Sequence, residues 1–393
     1  MAGWAQTAPA AGEEGDWLRR RPLLMCIVFL LVNAHPAARV AVASNRDEFL
    51  GRPAREVHVW ADGEGGDGGG SGFGGGSGDD FIVAGRDLEA GGTWLGVTRS
   101  GRFAVLTNFR EAVSARSLSG QVGGKAPSRG DLCTAYLRGT SAPEAFLCAL
   151  RADGCGKKYA GFNLVVGSVY TSELWYWSNR LPSGQDAPWR LADGVHGLSN
   201  GLLGLGDRWP KVDLGVARLE AMCARAWERR RAAVVAGEDG NIDGSDGDSS
   251  VDARTEVEGT GQSTAGGLLA SEVEFMLDEV LGNRTRVTED SLLPRTGAGI
   301  STERVCSSAF VETDWNGATY GTRSSQVIAC AAAGAQLCVV EKYLRPRGGW
   351  VRHGVRLAHA TPPRAQLRPA APRPLPRALR YEVRHGVKLK KWI

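Results

Sequence analysis

Ten short runs rich in apolar, β-branched and aromatic residues, none longer than nine residues, recur along the chain: MCIVFLLV, ARVAVASN, FIVAGRD, TWLGVTRSG, RFAVLTN, GFNLVVGSV, ELWYWSN, SSAFVET, SQVIACA and LCVVEKY. Runs this short favour strands over helices, so sheet dominates the expected fold. Helical patterns are fewer. DLCTAYLRG and SAPEAFLCALRAD form a helical pair in which Ser141 and Pro143 suit an N-cap and a first turn. RWPKVDLGVARLEAMCARAWERRRAAVVAG places Val212, Val216, Leu219 and Met222 near helical spacing, and GLLASEVEFMLDEVLG predicts a third helix. Runs of strands with helices grouped between them imply an α+β fold, its sheets covered by helices.

The stretch RRRPLLMCIVFLLVNAHP, residues 19–36, has competing readings. Its apolar part, residues 22–32, falls well short of the roughly 20 residues needed to span a bilayer, so no transmembrane segment is expected. Its length and arginines suit a signal h-region, with His35-Pro36-Ala37-Ala38 as a loose cleavage region. Against that, Glu13, Glu14 and Asp16 precede it, which weakens a transit peptide too, and ARVAVASN starts an alternating pattern at once. A hairpin whose short connection contains Asn33 and Pro36 is the preferred reading, and a signal peptide is not expected.

Forty-seven Lys and Arg against 43 Asp and Glu give +4, but nine basic residues and one acidic residue lie in residues 361–393. The remainder is slightly acidic, which argues against a nucleic-acid surface on the folded part. Eight cysteines (Cys26, Cys133, Cys148, Cys155, Cys223, Cys306, Cys330, Cys338) form no C-x-x-C pair, and the six histidines form no H-E-x-x-H. Neither a disulfide scaffold nor a metal site is implied, and reduced thiols used as small hydrophobes suit a reducing compartment. Residues 61–80, with eleven glycines, and the acidic residues 237–266 read as flexible inserts. The G-x-G-x-x-G inside the first lacks a strand before it and a helix after it, so it does not signal dinucleotide binding. Six prolines interleaved with arginine between 362 and 376 imply an extended tail, a candidate for membrane-surface or RNA contact. VRHGV recurs at 351–355 and 383–387, too short to define a structural repeat.

Three polar clusters interrupt or follow β-type runs: SNRDEF (44–49), LTNFRE (106–111) and HGLSNG (196–201). Side chains alternate along a strand, so at most two of Asn45, Arg46, Asp47 and Glu48 share a face. A charged strand end held by ion pairs is the structural alternative to a site.

These clusters belong to a longer ordered set: MCIVF, NRDEF with a following RP, GGTWLGV with SGRFAVLTNFRE, SRGDL, GFNLVVG, HGLSN, RWPKV and YGTRSSQVI. Eight motifs in this order resemble the transport and Golgi organisation protein 2 family, also called the NRDE family. The resemblance runs from Met25 to about Tyr343. It implies a single domain at 25–345 carrying the two inserts, between an extension at 1–24 and a Pro/Arg-rich tail at 346–393. Members usually begin at Met-Cys, so Met25-Cys26 looks like an ancestral start. The family is similar to cysteine-type N-terminal nucleophile hydrolases, which implies a four-layer αββα sandwich.

By that resemblance Cys26 is the nucleophile and supplies the basic α-amine, and Arg46 and Asp47 orient it. Asn108 and Asn200 contact the oxyanion. Asn45, Glu48, His196 and Arg323 bind ligand, with Arg323 facing an anionic group. The adjacency of Arg46 and Asp47 departs from the hydrolase pattern, and a Cys26 inside a peptide bond has no free amine. The resemblance implies a cytoplasmic factor in Golgi organisation and secretion, associated with Golgi or mitochondria. Its expected ligand is a small hydrophobic or acylated molecule, or haem held by Cys26, His35 or His196. The alternative is a cysteine amidohydrolase active once the Cys26 amine is exposed.

Overall fold

In the computed structural model, residues 25–60, 80–110, 127–154, 158–205, 209–236, 264–265, 267–296, 299–315, 317–333, 336–345, 348–358, 380–384 and 387–391 are described. The apolar run after Met25 becomes strand β1 (Cys26–His35), apolar from Cys26 to Val32 because both of its faces are covered there. Val28, Leu30 and Val32 point into one core cluster, while Ile27, Phe29 and Leu31 point into another. Each such burial contributes about 1.5 to 3 kcal/mol, enough to hold this strand inside its sheet, one strand from the edge. A turn at Pro36 and Ala37 leads into β2 (Ala38–Phe49), so the expected hairpin is present. Asn33 lies inside β1 with φ 49°, next to a break in the register after Val32.

Two antiparallel sheets follow. In the first, β2 pairs with β14 (Ala318–Ala331), then β15 (Gln336–Leu344) and β16 (Trp350–Ala358). On the other side of β1 lies β10 (Gly194–Leu198), and β13 (Glu312–Trp315) also pairs with β14. The second sheet runs in chain order through β3 (Ala54–Val59), β4 (Ile82–Asp87), β5 (Leu95–Thr98), β6 (Arg102–Asn108), β7 (Phe162–Ser168), β8 (Glu173–Ser178) and β9 (Trp189–Arg190).

The sheets face each other across a core containing Val28, Leu30 and Val42 from the first and Val97, Val105 and Val165 from the second. Helices α1 (Gly130–Arg138) and α2 (Pro143–Ala152) cover the outer face of the second sheet through Leu132, Tyr136 and Leu147. Helix α3 (Pro210–Val235) covers the first through Leu219 and Met222. The result is the expected α+β architecture in four αββα layers. Gly215 lets α3 approach β1 closely, since a Cβ there would lie 2.1 Å from Cζ of Phe29. No helix among the described residues is long and apolar enough to cross a membrane.

Several local expectations change. Pro143 opens α2, but the N-cap is Ala142 with no side-chain cap, so Ser141 does not serve that role. The third helical pattern divides into β12 (Leu268–Leu269), which pairs with β11 (Thr264–Ala265), helix α4 (Ala270–Glu274) and a π-helical segment at Phe275–Leu281. Helix α5 (Ile300–Val305) follows, and SSAFVET supplies only the start of β13. The expected boundary at 345 falls short, because β16 pairs along the whole of β15. Val355 and Leu357 bury against the inter-sheet core, which is why the sheet gains from this strand. Residues 360–393 form a separate unit, in which β17 (Arg380–Arg384) pairs with β18 (Val387–Lys391). The expected extension at 1–24, nearly all of the Gly-rich and acidic inserts and the proline-rich part of the tail lie outside the described residues.

Candidate functional site

The β1–β2 ladder sets the register Cys26↔Arg46, and opposite residues in an antiparallel pair share a face. Cys26 and Arg46 therefore face the space between the sheets, together with Glu48. Asn45 and Asp47 take the helix-covered face. All four residues of the NRDE stretch are buried because both faces are covered. Alternation thus removes the difficulty of adjacency: Arg46 lies on the thiol side of Cys26, and Asp47 on the side of Met25.

Arg46 Nη2 donates to Asp87 Oδ2 at 3.0 Å and lies 3.5 Å from Glu48 Oε2, while its guanidinium stacks 4.3 Å from the Trp94 ring centroid. Asp87 and Trp94 come from the second sheet, so this network links the two sheets beside Cys26. Arg52 holds Asp87 through two bonds of 2.7 and 3.1 Å. Burial works to raise the Asp87 carboxyl, but the Arg52 bonds and the Arg46 charge win and hold it below its ordinary value. Burial raises Glu48 despite the charge of Arg46, and its Oε1 accepts from the Phe49 N–H at 2.9 Å.

Burial pushes the Cys26 thiol up to about 12, helped by the charge of Asp47 and opposed by the Asp47 backbone N–H and Arg46. The cysteine is a thiol, not a thiolate. Burial likewise pushes Asp47 up to about 7, against the charge of Lys211 and a 2.6 Å bond from the Thr322 hydroxyl to Oδ1. Burial lowers the Lys211 ammonium while Asp47 opposes that shift.

Asn200 and Asn108 lie together, since Asn200 Nδ2 donates to the Asn108 carbonyl at 2.8 Å. The Arg110 N–H donates to the Asn200 carbonyl at 2.8 Å, and the Ser199 hydroxyl donates to the Cys26 carbonyl at 2.9 Å. Asn200 therefore adjoins Cys26 through Ser199.

Three expected ligand contacts are corrected. The Arg323 guanidinium is fully buried, donating from Nη1 to the Leu50 and Arg52 carbonyls and from Nη2 to the Tyr343 hydroxyl at 3.0 Å. It stabilises the turn after β2 and faces no open anion site. Asn45 donates to the Leu281 and Ala309 carbonyls at 2.8 and 2.9 Å and accepts from the Ser325 hydroxyl at 2.7 Å. It ties β2 to the segments packed over it. His196 pairs opposite Leu30, away from Cys26, with Nε2 2.7 Å from the Ala192 carbonyl.

Of the residues named for haem, the two histidines do not suit an axial ligand at this site. His35 uses both ring nitrogens, toward Glu272 at 3.3 Å and the Ala37 N–H at 3.2 Å. His196 stands away from the cluster.

Sequence reasoning missed the helix-side half of the cluster, formed by Lys211, Arg110, Glu303, Cys306 and Tyr320. Lys211 and Arg110 were visible as charges inside RWPKV and LTNFRE, next to Trp and Phe. Their burial needed the fold.

Residues 25–238 match the family described as Transport and Golgi organisation 2. The chain belongs to this family. The bovine family member, the Transport and Golgi organization protein 2 homolog of Bos taurus, is 32% identical over 54% of this chain and 69% of that protein. The human homolog is 32% identical over 46% of this chain and 58% of its own length. A solved structure of a mutant conjugated bile acid hydrolase from Clostridium perfringens aligns at a TM-score of 0.35 with 9% identity, over 81% of this chain and 89% of that one.

Proposed function

We propose that this family member is a cytoplasmic factor in Golgi organisation and secretion that works by binding a small acylated or hydrophobic ligand between its two sheets, at Cys26. Family membership supports the cellular role, since its relatives are named for transport and Golgi organisation. The observation that carries the ligand site is the pairing of Cys26 with Arg46 at the strand end. There a thiol, a guanidinium with Nη1 unpartnered among the described residues, and the Asn200 amide lie beside the apolar inter-sheet layer. All seven described cysteines are unpaired, in keeping with a reducing compartment.

The test is rescue of Golgi morphology and secretion in cells lacking the protein. Arg46→Ala loses thermal stability through the buried Asp87 and Glu48 it leaves without their cation, and it should fail to rescue even at an abundance equal to that of the wild type. A variant that loses stability but retains full rescue at equal abundance would make the NRDE stretch a structural corner only.

A second reading, a cysteine amidohydrolase, is favoured by the division of Arg46 and Asp47 between the two sides of Cys26. With a free α-amine at Cys26, the amine takes the thiol proton and the thiolate attacks the amide carbonyl. The ammonium then returns the proton to the leaving nitrogen as the C–N bond breaks, leaving a thioester that water hydrolyses. By the family resemblance, Asn200 is the candidate oxyanion contact. In the structure Met25 acylates that nitrogen, and its own N–H donates to the Tyr320 hydroxyl at 2.7 Å.

Intact mass and terminal sequencing of the protein from its own cells decide whether this species exists. A chain starting at Cys26 should cleave acylated amides and lose that activity as Cys26→Ala. A chain that keeps residues before Cys26 and cleaves none of them would remove the hydrolase reading.

A further inference from the structure

On the helix side of the first sheet, Met25 fills a pocket whose polar groups it satisfies poorly. Its side chain is fully buried among Cys306, Val311 and Tyr320, and its sulfur accepts from Arg110 Nη2. A thioether is a weak acceptor. Arg110 gives Nη1 to Glu303, but its Nε has no partner among the described residues.

Lys211, brought in by the first turn of α3, has no partner for Nζ among those residues either. Both side chains are deeply buried, at 4% exposure for Arg110 and 5% for Lys211. Lys211 interacts by charge with Asp47, Arg110, Cys306 and Cys26, which places its ammonium in this cluster.

The acceptors nearby are largely spent. Glu303 accepts from Arg110 and from the Thr296 hydroxyl, and Asp47 Oδ1 accepts from Thr322, leaving Asp47 Oδ2. Three ammonium hydrogens and two guanidinium nitrogens therefore face one free carboxylate oxygen and one thioether. Buried donors left in surplus are costly, and an ionised acceptor forms bonds about twice as strong as a neutral one.

We propose that the Met25 pocket is a binding site for a carboxylate carried on a short unbranched arm, and that Met25 acts as its plug. The acceptor belongs where the Met25 sulfur lies, against Arg110 and within the charge cluster that includes Lys211, with Tyr320, Val311 and Cys306 lining the arm. Only if the hydrolase reading also holds does the site assign a substrate class, an amide bearing such a carboxylate beside the Cys26 nitrogen.

The test uses the full chain and measures no cleavage, so it is independent of that reading. Thermal unfolding near pH 8 compares Met25→Glu with Met25→Gln, which are close in shape and differ in charge. Burying a lone carboxylate ordinarily lowers stability. Here the Met25→Glu chain should melt about 3 °C or more above the Met25→Gln chain, and the difference should vanish when Lys211→Met is added. A Met25→Gln chain as stable as Met25→Glu, or more so, overturns the proposal. So does a Met25→Leu chain that folds when neither polar variant does.

Met25→Gly, which opens the pocket, should bind propionate and not propionamide by titration followed by NMR. Equal binding of the two, or binding of neither by a folded Met25→Gly chain, also overturns it.

Discussion

Cys26 combines burial with an acidic neighbour, and the two raise its thiol together. The consequence is a cysteine that does not react while Met25 precedes it. Cys148, exposed on α2, gives an internal comparison. Iodoacetamide labelling of the native chain near pH 8, followed by peptide mass spectrometry, should modify Cys26 at least about 100-fold more slowly than Cys148, with the gap closing in denaturant. Comparable native rates would mean that Cys26 is open to solvent and that the cluster is already an active nucleophile site. The NRDE letters separate at this scale into different tasks. Asn45 is consumed by backbone carbonyls, Arg46 and Glu48 join the inter-sheet ion network, and Asp47 faces Lys211 across the helix-covered side.

At the scale of elements, contact between α3 and β1 carries Lys211 to the end of the sheet. Gly215 is the residue that permits it, because the Phe29 ring occupies the space a side chain would need. Gly215→Val should destabilise the protein by about 1 to 3 kcal/mol through overpacking, despite its slightly better helix propensity. Urea unfolding measures this, and an unchanged midpoint would show that α3 slides freely over β1. Within the first sheet, β16 lies along the full length of β15 and contributes Leu357 to the buried core, so this edge strand belongs to the domain.

At the scale of the whole molecule, the two sheets are joined by buried polar ties as well as by apolar side chains. Arg46 with Asp87 is one tie. Glu341 of β15 is another, accepting from the Val57 N–H of β3 and from Gln326 Nε2, each at 2.6 Å. Burial pushes the Glu341 carboxyl up from an ordinary 4.5 to about 7, with the Val57 and Gln326 bonds opposing it. The folded state therefore keeps a proton that the unfolded state has released, and stability falls as pH rises across that interval. Asp47, raised by burial from 3.8 to about 7, acts with the same sign. Asp87 and Glu272, held below their ordinary values, act with the opposite sign at lower pH. Urea midpoints taken between about pH 5 and pH 7 should fall for the wild type and fall less steeply for Glu341→Gln. An identical slope in the variant would mean that Glu341 is ionised throughout that range.

The short β-type runs, the helical pair, the α3 pattern and the ordered motifs were legible in the sequence because they rest on local periodicity and on residue identity at fixed spacing. By itself the sequence determined the α+β class, the β1–β2 hairpin and the family, along with the rule that neighbouring NRDE side chains take opposite faces. It could not determine which face was covered, and here both are. Only the tertiary structure decided that Arg323 and Asn45 are internal ties, that Arg110 meets Met25 and Lys211 faces Asp47, and that β16 completes an edge. Each of these outcomes depends on partners far away in the chain, such as Lys211 and Asp47 or Arg110 and Met25. The free energy of a buried charge is set by what surrounds it, which no local pattern encodes.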